Sequence, residues 1–430
     1  MKKLLSLFMV TALAVGSLTA CTKQVDKTEK TDSATSKTAE STAKTEAEAT
    51  KSGEKSTSGE KTTITVWHSA DATIADALEK KLNSLLKNAT VKMERKENLS
   101  ESLKLVSDDP KTAPDMFLWA HDKVGVFAEM GIIEPVNKLL SDDDLKDLIP
   151  MTLQAGTYKN EKYQLPLYFE SLLFIYNKDL MQEAPKTTDE LLAKAKAETK
   201  DNKYVLVEQH STSYCIAPWL HGFGGYMINT DKKPGLDLPE TQKALEYHKQ
   251  FVQYMPADGE YNTVTTLFTE GKSASIIGGP WLIPGLKAAK LNYGIAPMPT
   301  LPNGEPLKPF SGVQGLQVIK QAADNKKDAV KEVLLAAINP EVGIELAKVA
   351  NCAPANNLAY KDAEVSKNEM ISILQEMAKT LVPMPNIPEM DVMWGATDGL
   401  LAEVNKNGKD VKEACAKYQK QAIEQIESMK

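Results

Sequence analysis

The chain has 430 residues and a formal net charge of −7, from 51 Lys and Arg against 58 Asp and Glu. An acidic balance with no basic stripe argues against nucleic-acid binding. The four cysteines are far apart and form no CxxC, which argues against a zinc site or a disulfide framework and reads three of them as buried thiols.

The N-terminus reads as a secretory signal. Met1-Lys2-Lys3 supplies the charged start and Leu4 to Val15 a short apolar run, before Leu18-Thr19-Ala20. A membrane-spanning helix needs ~20 apolar residues, more than this run holds. The ending Leu18-Thr19-Ala20-Cys21 resembles a bacterial lipobox, in which the Cys carries lipid and begins the mature protein. Residues 1–20 are therefore expected to be a lipoprotein signal peptide, and Cys21 the attachment to the outer face of the cell membrane. Residues 21–61 hold Thr, Ser, Lys, Glu, Asp and Ala almost exclusively, with no aromatic residue. Such a segment cannot bury enough surface to offset its ordering entropy, so a disordered spacer is expected. As a flexible coil it would span roughly 35 Å. Its mixed charges do not make a polybasic membrane patch.

The remaining stretch, about 370 residues, exceeds one ordinary core and predicts two lobes. Thr62 to Trp67 is a β-rich run, and Ala75, Leu78, Leu82 and Leu86 fall on one helical face after it. Met116 to Trp119, Leu172 to Tyr176 and Ser273 to Ile277 are further short strands. Glu369 to Lys379 and Gly399 to Met429 read as helices. Strands alternating with helices predict an α/β fold with largely parallel sheets. Ser141 before Asp142-Asp143-Asp144 reads as a helix start with acids on the positive dipole end. It is not a calcium loop, since Asp147 stands where the required Gly would be.

Enzyme signatures are scarce. Gly271-Lys272-Ser273 resembles the end of a phosphate loop, but Thr266 stands at the earlier Gly position. No HExxH, GxSxG or dinucleotide fingerprint occurs, and the five His are scattered. Arg95 is the only arginine, in a run that reads as a solvated face. Arg is the usual bidentate grip on carboxylate or phosphate, so its scarcity tilts the reading towards neutral ligands.

Aromatic residues beside polar ones recur in loop-like places. They are Trp119 before His121-Asp122-Lys123, Glu170 after Tyr168-Phe169, Tyr214 after Ser211-Thr212-Ser213, Trp281 after Gly278-Gly279-Pro280, and Trp394 after a proline-punctuated run. An aromatic face matches the C–H face of a pyranose, and carboxylates and Lys bond its hydroxyls. Any one Trp taken singly is more often core, as Trp67 inside its strand is expected to be.

From about Thr62 onward the chain resembles the maltose/maltodextrin-binding protein family of ATP-binding-cassette importers. The matching stretches are Pro114 to Asp122, Ile175-Tyr176-Asn177-Lys178-Asp179-Leu180 with Pro185-Lys186-Thr187, Gly279-Pro280-Trp281, Asn292-Tyr293-Gly294 with Lys308-Pro309-Phe310, and Met384-Pro385-Asn386-Ile387-Pro388. Tyr-Asn-Lys-Asp alone indicates a sugar receptor; Trp-Ala-His-Asp with Met-Pro-Asn-Ile-Pro narrows it to the maltose branch.

The resemblance implies a periplasmic-binding-protein-like fold, two α/β lobes joined by a hinge with the ligand cleft between them. Lobe 1 would comprise residues 62–168 with a return segment 316–360, and lobe 2 residues 169–315 with C-terminal helices 361–430. It implies sugar contacts from Asp71, Trp119, Asp122 and Lys123 on the first lobe, Glu170 near the hinge, and Tyr214, Trp281, Met384 and Trp394 on the second. Ala72, Thr212 and Cys215 depart from the family pattern, standing where a Lys, a carboxylate and an aromatic are common. The expected function is a lipid-anchored, monomeric, extracytoplasmic receptor that delivers maltose and maltodextrins to a membrane permease. It would need no catalytic residue, cofactor or metal. The alternatives are a receptor for another neutral oligosaccharide and a surface glycoside hydrolase using Asp122 and Glu170.

Overall fold

The computed structural model describes residues 61–109 and 111–429. Cys21, the signal and the spacer lie outside the described residues.

Eleven strands and six helices position the site. They are β1 (Thr62–His68), α1 (Ala72–Leu85), β2 (Ala89–Arg95), β3 (Met116–Ala120), β4 (Gln164–Ser171), β5 (Leu173–Asn177), β6 (Tyr204–Val207), α2 (Ser213–Phe223), β7 (Ser273–Gly278), β8 (Tyr293–Ala296), β9 (Phe310–Ile319), α3 (Pro340–Ala350), β10 (Ala353–Pro354), α4 (Glu369–Met377), β11 (Val382–Pro383), α5 (Met390–Leu401) and α6 (Val411–Ser428).

They form two main sheets. One runs β10-β4-β9-β3-β1-β2, with β11 and the short strand Ile133–Glu134 also on β9. The other runs β8-β5-β7-β6. Each sheet has its own core. Ile64, Val66, Leu78, Leu82, Phe117 and Phe127 belong to the first. Phe174, Ile175, Trp219, Phe251, Phe268 and Ile276 belong to the second. Ala75, Leu78, Leu82 and Leu86 are all buried, as their helical spacing predicts. Trp67 is buried in the first core, with the Lys96 amine 4.3 Å from its ring centroid.

The sheets are mixed, which corrects the expectation of largely parallel pairing. β1 is parallel to β2 and β3, and β7 to β6. β9 is antiparallel to both β3 and β4, and β5 is antiparallel to both β7 and β8. The cause is connection. β4 passes into β5 through Leu172 alone, and β9 brings the chain back from the second sheet. A strand that crosses between sheets is not constrained by a helical crossover to run parallel.

Two further expectations are refined. The helical reading of Gly399 to Met429 begins earlier, at Met390, and breaks into α5, a π-helical turn over Ala402–Lys406, and α6. Gly408, at φ +66°, makes the reversal between them. Ser141 does cap a helix start: it exchanges hydrogen bonds with Asp144 in a capping box, although the helix is only Asp142–Leu145. Cys215, Cys352 and Cys415 are buried free thiols.

The segment Met384 to Pro388 is fastened to the first sheet's side. The Asn386 amide donates to Ala155 O and Thr157 O, both at 2.8 Å. The Gly125 N–H donates to Asn386 O at 2.9 Å. A Cβ on Gly125 would lie 2.2 Å from that oxygen, so only Gly lets the two backbones meet. His121 completes the tie. Its Nδ1 accepts from Val313 N–H at 3.1 Å and its Nε2 donates to Met384 O at 2.9 Å. Burial lowers its pKa to about 4, so it stays neutral and can do both.

Candidate functional site

The site follows from where strands end. β3, β9 and β4 are neighbours, with Gln314 of β9 opposite Ala120 on one side and Tyr168 on the other. Residues just beyond β3 and at the end of β4 therefore emerge at one edge of the first sheet. Asp122 and Lys123, just beyond β3, and Glu170, at the end of β4, are such residues, and Trp119 is the last residue but one of β3. Asp71 joins them as the N-cap of α1, its Oδ1 accepting from Thr73 N–H at 2.8 Å.

A cavity of about 360 Å³ opens there. Asp71, Tyr168 and Glu170 line it from the first sheet's side, Pro280 and Trp281 from the second's. Three predicted residues, Asp71, Glu170 and Trp281, thus share one space. Trp119 lies outside its lining, half-buried against the first core and opposite Gly315. A larger cavity, about 820 Å³, lined by Pro150, Met151, Ser372 and Lys379 among others, holds none of the predicted residues.

The aromatic residues form a row on the second core. The Tyr214 ring centroid is 6.4 Å from that of Trp281 and 6.3 Å from that of Phe310, the latter pair stacked at 27°. Phe310 meets Trp394 at 5.7 Å, edge to face. Such pairs contribute about 0.5–1.5 kcal/mol each beyond burial. Phe310 is buried and holds the row together; Trp281 is 41% exposed at its open end. Trp281 lies over Gly279, where a Cβ would come within 2.1 Å of the indole, so that Gly sets the ring's position.

The polar groups are tuned by burial. Glu170 accepts from the Gln314 amide at 3.4 Å, and burial pushes its pKa up. Burial also raises Asp122, with Lys123 pulling it back and Asp391 pushing it further up. The Tyr214 hydroxyl is held well above its ordinary value by burial first and the Glu170 charge second. Asp71 is lowered, chiefly by the Thr73 N–H. Lys123 is engaged by the Asp391 carboxylate of α5. Met384 approaches Glu170 across Gly312: a Cβ there would be 3.3 Å from Glu170 Cγ and 3.8 Å from Met384 Cε.

Three residues escaped the sequence reading. Phe310 lay inside a matched stretch but was assigned no role of its own. Gln314 is a polar residue between Gly312 and Gly315 in a mostly apolar strand, which was its signal. Asp391 stands one helical turn before Trp394, which places both on one face of α5. Arg95 is exposed, as expected, yet it borders the site, donating to Ala70 O at 3.1 Å beside Asp71. Of the departures, Cys215 is buried in the second core and its thiol is pushed up to about 12 by that burial. Thr212 precedes α2 and donates to Gln209 O at 3.1 Å. Ala72 is the first residue of α1.

Residues 73–372 match the family model described as bacterial extracellular solute-binding protein. A maltotriose-binding protein of Pyrococcus abyssi is 30% identical over 375 residues, covering 85% of this chain and 82% of that one. A maltooligosaccharide ABC transporter solute-binding lipoprotein of Streptococcus pneumoniae is 32% identical over 326 residues, covering 70% and 74%. Among solved structures, a cyclo/maltodextrin-binding protein complexed with maltotetraose superposes with a TM-score of 0.79 at 26% identity, covering 87% of this chain and all of that one.

Proposed function

Because the chain belongs to the bacterial extracellular solute-binding proteins, we propose that it captures maltose and maltodextrins in the cleft between its two sheets and delivers them to an ATP-binding-cassette importer. It is a receptor and not an enzyme. The observation that carries the sugar reading is the ring row Trp281–Tyr214–Phe310–Trp394, whose Trp281 end shares a cavity with the carboxylates Asp71 and Glu170. Rings take the apolar faces of glucose units; ionised carboxylates and Lys123 take the hydroxyls. Two acids, Asp71 and Glu170, around one space disfavour an anionic ligand. The maltotriose-binding and maltooligosaccharide-binding relatives and the maltotetraose complex support the same class.

In this reading Trp281, Tyr214 and Trp394 stack, Met384 flanks, Trp119 contacts from the first lobe, and Asp71, Asp122, Lys123 and Glu170 bond hydroxyls. Lobe 1 is residues 62–168 with 316–360, and lobe 2 residues 169–315 with 361–430. Ligand binding shifts an open form to a closed one, which the permease recognises. The receptor works as a monomer, tethered outside the cell by lipid on Cys21. The pneumococcal relative's designation as a lipoprotein supports the tether.

Calorimetry with maltotriose, galactose-based oligosaccharides, glutamate and phosphate tests the ligand class. Maltotriose binds and is recovered intact, and at a hundredfold excess over Kd it stabilises the fold by about 2.7 kcal/mol. Binding of an anion in its place would overturn the reading.

A further inference from the structure

The ring row has two unlike ends. At the Trp281 end the indole is exposed, and a second cavity of about 210 Å³ lies against it, lined by Tyr261, Thr265 and Gly285 among others. At the Trp394 end the helix that carries the ring also carries Asp391, three residues earlier. Positions three apart on a helix share a face, so Asp391 borders Trp394. Its Oδ1 takes the Lys123 amine. Lys123 ends the single turn His121–Lys123 that follows β3 of the first sheet. α5 packs on α2 and α6, over the second core. The ion pair thus spans from one core to the other beside the last ring of the row.

We propose that Asp391 is a specificity-determining residue: with Lys123 it forms a stop at the Trp394 end of the cleft, so that a bound glucan extends only past Trp281. This inference rests on the maltodextrin reading.

A glucose unit pushing beyond Trp394 would have to separate an ammonium from a carboxylate. Its hydroxyls would replace one charge-assisted bond between ions with bonds between ions and neutral groups, which are weaker. At the Trp281 end no such bond has to be broken. The Lys123 side chain is 23% exposed and that of Asp391 47%, so the pair is reached by solvent and is not a core contact. Lys123 has three donors and gives one to Asp391; without Asp391 that donor also becomes available to sugar hydroxyls. Asp391 therefore acts on the ligand both directly, as a barrier, and through Lys123.

The test uses the folded chain and three probes: maltotriose, maltotriose with a 4-nitrophenyl group at the reducing end, and maltotriose with a benzylidene group at the non-reducing end. Calorimetry compares the parent with Asp391→Ala and Asp391→Asn, and a thermal melt confirms each variant folds. The parent should tolerate one modified end and lose about tenfold or more in affinity for the other. In Asp391→Ala the two modified probes should come within about threefold of each other, through recovery of the disfavoured one. A merely structural role would weaken all three probes alike and keep the preference. Equal tolerance of both ends by the parent, or an unchanged preference in the variants, sinks the stop alone. Failure of the parent to bind unmodified maltotriose sinks the maltodextrin reading, and the stop with it.

Discussion

The two walls of the cleft are built on different physics. The wall on the second core is a row of rings that touch one another, with a buried Phe310 beneath. Its shape is fixed by packing before any ligand arrives. The wall on the first core is a set of charged groups whose state depends on neighbours: Glu170 on Gln314 and burial, Asp71 on Thr73, Lys123 on Asp391. Apolar complementarity is thus held by the fold, while polar complementarity is held by individual bonds. Substitutions on the first kind of wall should cost stability and affinity together. Substitutions on the second should separate them.

Phe310 gives the largest expected effect. It is buried and stacks Tyr214 on one side and meets Trp394 on the other. Phe310→Ala should lower unfolding stability by about 3–5 kcal/mol in chemical denaturation. Maltotriose affinity should fall as well, because two rings lose their support. A variant that kept full affinity while losing stability would show that the row is core only and that the first wall binds alone.

Trp394 and Trp281 come next, and they sharpen the contrast within one wall. Each alanine substitution should weaken maltotriose binding by roughly 2 kcal/mol. The half-buried Trp394 should also lose stability, and the exposed Trp281 should lose little. Titration calorimetry beside a melting curve reads both quantities. Parent-like affinity in two folded variants would remove the ring row from the site.

These contrasts explain what the sequence made legible. Trp281 and Trp394 could be picked out because an indole after Gly and Pro, or after a proline-punctuated run, is poorly explained as strand core. Ala75, Leu78, Leu82 and Leu86 were legible because helical spacing puts them on one face. Phe310 was not, since a buried strand Phe has the same local pattern whether or not a functional ring leans on it. Strand direction was illegible for a related reason: the buried run of β9 is the same for a parallel or antiparallel neighbour, and only its return from the other sheet decides. Asp391 needed the tertiary contact with Lys123, which no local spacing contains.

Glu170 tests the polar wall. Burial raises its pKa, so the folded chain holds that proton more tightly than the unfolded chain does. Stability must then fall as pH rises from the ordinary carboxylate range through the raised pKa, because the buried charge forms there. Glu170→Gln removes that loss. At neutral pH the variant should be more stable than the parent, and the difference should fade at acid pH. Its maltotriose affinity should drop by about 1.5 kcal/mol, the contribution of a hydrogen bond to a charged acceptor. A variant both less stable and equally tight would reverse the assignment of Glu170 to the polar wall.

Asp71 carries the smallest expected effect and the finest distinction. It is exposed, it caps α1 through the Thr73 N–H, and it lines the cavity. Capping alone would make Asn nearly as good as Asp, while Ala would cost about 1 kcal/mol. Because that hydrogen bond lowers the Asp71 pKa, its contribution is present above the ordinary carboxylate range and is lost as pH falls through the depressed value. Sugar contact makes a different demand, since it needs the charge as well as the oxygen. Asp71→Asn should therefore leave the melting temperature close to the parent's while weakening maltotriose binding by up to about 1 kcal/mol. If Asn matched Asp in both measurements and only Ala lowered the melting temperature, Asp71 would be a helix cap at the cleft's edge, and the first wall would consist of Asp122, Lys123 and Glu170.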